Sequence, residues 1–107
     1  MAAFDVLVDG KTYKMFFNRD SARKFEEIGG NTSDLKEKPY STTSKLFYAG
    51  LLKYHPTISP AEAFEIADKA LEEYGLDTVY SELLNRYLEV FTSAGSSSSK
   101  SFVVKNS

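Results

Sequence analysis

Cysteine and tryptophan are absent from the chain, and histidine occurs once among its 107 residues. Without cysteine there is no disulfide framework, no thiolate zinc site and no thiol nucleophile. Such a composition suits a reducing cytoplasm. The lone histidine, His55, has no second imidazole with which to hold a metal, and no nucleophile–base–orienter arrangement is readable around it. No catalytic residue, metal or cofactor is therefore expected. Long apolar runs are missing as well. No window approaches the roughly 18 continuous apolar residues of a membrane span. No basic stretch leads into an apolar run at the N-terminus, so no signal peptide is expected. Proline occurs three times and glycine six times, few enough that each reads as local punctuation.

What is present is ordinary for one domain: 42% apolar and 26% charged residues. A chain of this length buries about two thirds of the surface it exposes when unfolded, enough for one core. Charge is unevenly spread. Residues 1–58 carry nine Lys/Arg against seven Asp/Glu, whereas residues 59–92 carry two against eight, a balance of −6. Nucleic acid is not an expected partner of the acidic half, because phosphate binding needs a basic footprint.

FDVLVDGKTYKMFF, from Phe4, reads as a β-hairpin. Asp9-Gly10 suits a type I′ turn, which needs positive φ at both central positions. That turn sets Val8 opposite Lys11, Val6 opposite Tyr13 and Phe4 opposite Met15. One face then carries Phe4, Val6, Val8, Tyr13, Met15 and Phe17; Leu7 and Phe16, on the other, lack a cover. Asn18 caps a first helix with Ala22, Phe25 and Ile28 on one stripe, Asp20 and Lys24 paired outside, and Gly29-Gly30 at its end. NTSDLKEKPYSTTS reads as a loop. A second helix runs from Thr43 to Tyr54, where Pro56 forbids continuation. Ser59-Pro60-Ala61-Glu62 is a capping box with proline at the first helical position, and opens a third helix that stops at Gly75. Asp77 caps a fourth, with Val79, Tyr80, Leu83, Leu84, Tyr87, Leu88 and Phe91 on one wide apolar face, so this helix is either central or held by a partner. The fold class is α+β: an N-terminal hairpin, a bundle of about four helices over residues 1–92, and a flexible Ser-rich tail over residues 93–107.

Candidate chemistry resolves into structure. His55 lies in the turn HPTISPAE. Glu62, Glu65, Asp68 and Glu72 read as a solvated helix face, with Glu65 and Lys69 an ordinary helical pair. Gly29-Gly30-Asn31 lacks the Lys-Ser/Thr of a phosphate loop. The seven tyrosines and eight phenylalanines follow core stripes and do not interleave with a basic groove. The features left over are adhesive. A two-stranded hairpin exposes edges, and Phe102-Val103-Val104 is a β-prone triplet in a polar tail. That triplet is expected to add to a hairpin edge, in the same chain or a neighbour, with Leu7 and Phe16 the matching contacts. Phe64, Leu71, Tyr80, Leu84, Tyr87, Leu88 and Phe91 are the expected partner-binding residues.

Taken in order, DGKTYKMFF, NRDSARKFEEIGG, KLFYAGLLKYHP and ISPAEAFEIADKALEEYG resemble the tail assembly chaperones of long-tailed phages and prophages of Gram-positive bacteria. The resemblance covers roughly residues 4 to 90. In that family a strand pair with a Gly-Lys-x-Tyr step precedes a helix ending in Glu-x-x-Gly. A segment closing on His-Pro follows, then an acidic helix opened by Ser/Thr-x-x-Glu. The resemblance implies a non-enzymatic role in the host cytoplasm. Such proteins coat the tape measure protein during tail morphogenesis, self-associate, hand over to the major tail protein and are absent from the virion. A longer, frameshifted form is common in the family, and Val104-Lys105-Asn106 is where such a slip is expected here. The alternative expectation is a structural tail or head-tail connector protein retained in the particle.

Overall fold

A computed structural model describes residues 3–97, with side chains through Thr92. Strands β1 (Phe4–Val8) and β2 (Lys11–Met15) form an antiparallel hairpin whose register is the one that Asp9-Gly10 dictates: Val8 with Lys11, Val6 with Tyr13, Phe4 with Met15. Asp9 and Gly10 take φ of 51° and 78°, the left-handed pair of a type I′ turn. Four helices follow: α1 (Arg19–Glu27), α2 (Pro39–Leu51), α3 (Pro60–Tyr74) and α4 (Leu76–Ser97). The fold is α+β, hairpin first and helices after.

Local signals placed most boundaries. The Asn18 side chain accepts from the Ser21 N–H at 2.9 Å, and Ser21 returns a bond to the Asn18 N–H, so α1 opens on a capping box. Ser59 and Glu62 do the same for α3, with Pro60 at its first position. Gly75 ends α3 with φ 87° and ψ 153°, a region essentially confined to glycine.

Three expectations need correction. The polar stretch after Gly30 is not all loop: Thr32–Leu35 forms a short 3₁₀ turn and α2 already starts at Pro39. Proline there opens the helix, since its missing N–H would be unpaired at that position anyway. Asp77 does not cap α4. The helix begins at Leu76, directly after Gly75, and Asp77 sits in its first turn, where a carboxylate meets the positive end of the dipole. At the other end α4 runs through Ser97, past the residue where a flexible tail was expected to begin. A helix already nucleated gains a bond for each residue added, so weak formers can extend it. The remainder of that tail, residues 98–107, lies outside the described residues. Two expected i,i+4 pairs are also redrawn: Asp20 meets Arg23 at 2.7 Å, and Lys69 reaches Asp9 at 3.6 Å.

The central element is α2. Thr42, Thr43 and every residue from Leu46 to Leu51 are buried, as expected of a helix covered almost all round. It packs on α1, α3, α4 and β2. Gly50 lets β2 approach: its carbonyl accepts from the Phe16 N–H at 2.9 Å, and an added Cβ would stand 2.7 Å from Met15 Cε. From α4, among the residues through Thr92, those buried are Val79, Leu83, Tyr87 and Val90, spaced as one inward stripe.

Candidate functional site

Two surfaces are left incomplete by this packing. The first is a groove between β1 and the last two helices. A two-residue hairpin makes Val8–Lys11, Val6–Tyr13 and Phe4–Met15 the hydrogen-bonded pairs, so the backbone groups of Asp5 and Leu7 point away from β2. Of these outward groups, the Leu7 carbonyl accepts from the Tyr74 hydroxyl. The Asp5 N–H, the Asp5 carbonyl and the Leu7 N–H have no partner among the described residues. Beside that edge lies a cavity of about 230 Å³, walled by Val6, Phe47, Ala70, Val79 and Leu83 and flanked by Asp5, Glu82 and Arg86. The Arg86 guanidinium covers the Phe4 ring at 4.2 Å, closing one end. At the other end, α3 pins the turn: the Asp9 N–H donates to Glu73 Oε1 at 2.9 Å.

The second surface is the outer side of α4. Leu88 is 42% and Phe91 53% exposed, continuing a stripe from half-buried Tyr80 and Leu84. The spacing i, i+4, i+8, i+11 keeps these four on one side of the helix. Phe91 lies in a shallow recess against α1, bordered by Arg19, Arg23 and Glu26. Leu71 lies elsewhere, in an open groove with exposed Tyr40 and the carboxylates of Glu65, Asp68 and Glu72.

The expected partner-binding residues therefore do not form one continuous surface. Tyr80, Leu84, Leu88 and Phe91 form the α4 stripe; Leu71 belongs to the α2–α3 groove; Phe64 is half buried against the core. Tyr87 is corrected outright. It is 4% exposed, with its ring against Phe17, Phe25 and Phe91 at 5.2–5.7 Å. Part of the breadth of α4 is thus used internally. Burial pushes the Tyr87 phenol above the usual tyrosine range, and the Glu26 carboxylate adds to the shift.

Among the expected self-contact residues, Leu7 is 51% exposed on β1. Phe16 is not an open edge: it is half buried, with the Lys53 ammonium 5.8 Å from its ring and its N–H taken by Gly50. Phe102, Val103 and Val104 lie outside the described residues. The β1 groove itself was missed. Phe4 and Val6 were read as core by their alternation, and they do pack against it. The available signal was that two strands cannot cover the face that four helices offer.

His55 occupies the turn after α2. Its N–H bonds the Leu51 carbonyl at 2.8 Å and its ring lies 5.9 Å from Tyr13. Its Nε2 is buried with no partner among the described residues. Among those residues no group of three or more His, Cys, Asp or Glu side chains is placed to hold a metal ion, and no helix is long and apolar enough to cross a membrane.

Comparison with curated proteins gave no significant match, and comparison with solved structures gave none either. One family does match, described as "Domain of unknown function (DUF5055)", over residues 2–106. With nearly its whole length covered, the chain belongs to the DUF5055 family.

Proposed function

We propose that this protein is a phage tail assembly chaperone. It binds the tape measure protein while the tail is built, yields it to the major tail protein and is left out of the finished virion. The observation that carries this reading is the exposed Leu88–Phe91 end of the α4 stripe. Two large apolar side chains on one helix face suit an amphipathic partner helix docked by i/i+3/i+4 anchors. The −6 balance of residues 59–92, with Glu65, Asp68 and Glu72 on the separate Leu71 groove and Arg19 and Arg23 beside Phe91, favours approach of a partner helix with basic flanks, and electrostatics of that kind speeds encounter more than it tightens the complex. A contact resting on so few anchors stays weak enough to be displaced, which a hand-over requires.

Co-expression with a tape measure protein tests the proposal. The partner is expected to remain soluble and to co-purify with this chain, and L88D/F91D is expected to abolish both effects. No rescue of solubility by the wild-type chain would overturn the reading. Mass spectrometry of purified particles separates it from a retained tail or connector subunit, whose peptides would be present.

A further inference from the structure

The β1 groove carries an inference independent of what the α4 stripe binds. Its edge offers three backbone groups without partners among the described residues, spanning Asp5 to Leu7, above an apolar cavity of about 230 Å³. An edge of this kind is completed by an added strand. The length needed is about three residues, apolar on the side facing the cavity. Its rim is of mixed charge: Asp5, Glu82 and Arg86 line the groove, and Asp5, Asp9 and Glu82 already pair with Lys14, Lys69 and Arg86. One segment of the chain matches the edge in length and in apolar pattern. Residues 100–105 read KSFVVK, an apolar, β-prone triplet with a lysine on each side. In a strand Phe102 and Val104 fall on the same face, two side chains for one cavity.

Reach decides which copy supplies it. The helix α4 runs antiparallel to β1, since Tyr74, just before α4, bonds Leu7 whereas Arg86 covers Phe4. From Arg86 to the helix end at Ser97 is about 16 Å at 1.5 Å per residue. Phe102 follows five residues later, at most about 17 Å fully extended. A copy's own tail would spend that whole length returning to the level of Phe4. Nothing would remain to cross from the α4 axis to β1, a separation of about 10 Å for packed elements. We infer that residues 100–105 of one copy lie as an added strand on the β1 edge of a second copy, with Phe102 and Val104 in the groove between β1 and α4.

The test uses the full chain and two variants, F102D/V104D in the tail and D5P at the edge. Proline at position 5 removes an outward N–H and is tolerated on an edge strand. The wild type is expected to sediment as a dimer or larger assembly, with the Leu7 amide exchanging at least ~tenfold more slowly than in either variant and the Asp5 amide at least ~tenfold more slowly than in F102D/V104D. Each variant alone is expected to be monomeric with its melting temperature retained. Mixed together they are expected to form a heterodimer, because one keeps a working groove and the other a working tail. A monomeric wild type with fast exchange at both amides would overturn the inference. So would an assembly that survives both variants, slow exchange in a monomer (the mark of a copy's own tail), or a mixture that stays monomeric.

Discussion

Two glycines show how a single residue can be required for opposite reasons. At Gly75 space is not the constraint, because an added Cβ would meet nothing within 4 Å. The backbone is, with φ 87° and ψ 153°. Gly75→Ala is expected to cost about 1–3 kcal/mol through strain alone, read as a lower urea midpoint at unchanged slope. At Gly50 the backbone is ordinary and space is lacking: Met15 Cε and Phe17 Cζ would stand 2.7 and 2.9 Å from the new Cβ. Gly50→Ala is expected to cost a similar amount through overpacking, and M15A is expected to relieve part of that cost in a double-mutant cycle. Tyr87 gives a pH dependence. Its folded phenol loses its proton at higher pH than an unfolded tyrosine. The neutral form is thus favoured by folding, and that stability is complete below the unfolded value of about 10. It is lost as pH rises from there through the folded value. Denaturation series in that alkaline range are expected to show a steeper loss for wild type than for Tyr87→Phe.

The ends of α1 and α3 were the most legible helix boundaries. Ser59-Pro60-Ala61-Glu62 announces a start because each position performs a separate task, and the bonds found are those expected: Ser59 Oγ accepts from the Glu62 N–H at 3.1 Å, and Glu62 Oε1 from the Ser59 N–H at 3.2 Å. Ser59→Ala is expected to cost about 1 kcal/mol in chemical denaturation, with little effect on hairpin amide exchange. The hairpin was equally legible, since its turn fixes its register. The start of α2 was not. Pro39 lies in a polar stretch that reads as a loop, and nothing local distinguishes a proline there from one at a helix opening; burial of the following turns decides it. The central place of α2 was hidden for a related reason. Its buried Thr42, Thr43 and Gly50 are not apolar signals, and they face inward because neighbouring elements come close. The self-contact edge was half legible. Alternation found the inner face of β1, but only the position of α3 and α4 beside it reveals that the Leu7 edge opens onto a cavity.

At the scale of the whole molecule, charge and exposed apolar surface are arranged separately. The acid lines the α2–α3 groove beside Leu71, whereas Phe91 has Arg19 and Arg23 near it. Binding of a basic amphipathic helix to α4 is therefore expected to weaken only modestly with salt. Charge reversal of Glu65, Asp68 and Glu72 should change the association rate more than the dissociation rate in surface plasmon resonance. The L88D/F91D variant should do the reverse, at a stability cost of about 1–2 kcal/mol, because both side chains are about half exposed and the Phe91 ring packs on Tyr87. The clamp at the hairpin tip has a temporal consequence. Leu7 and Asp9 are tied to Tyr74 and Glu73, partners separated by 67 and 64 positions. During synthesis the strands leave the ribosome early, yet their fastening waits until the last turn of α3 has emerged. For that interval β1 is a sticky ribbon without its wall, and the nascent chain is most exposed to wrong pairing before its own third helix arrives.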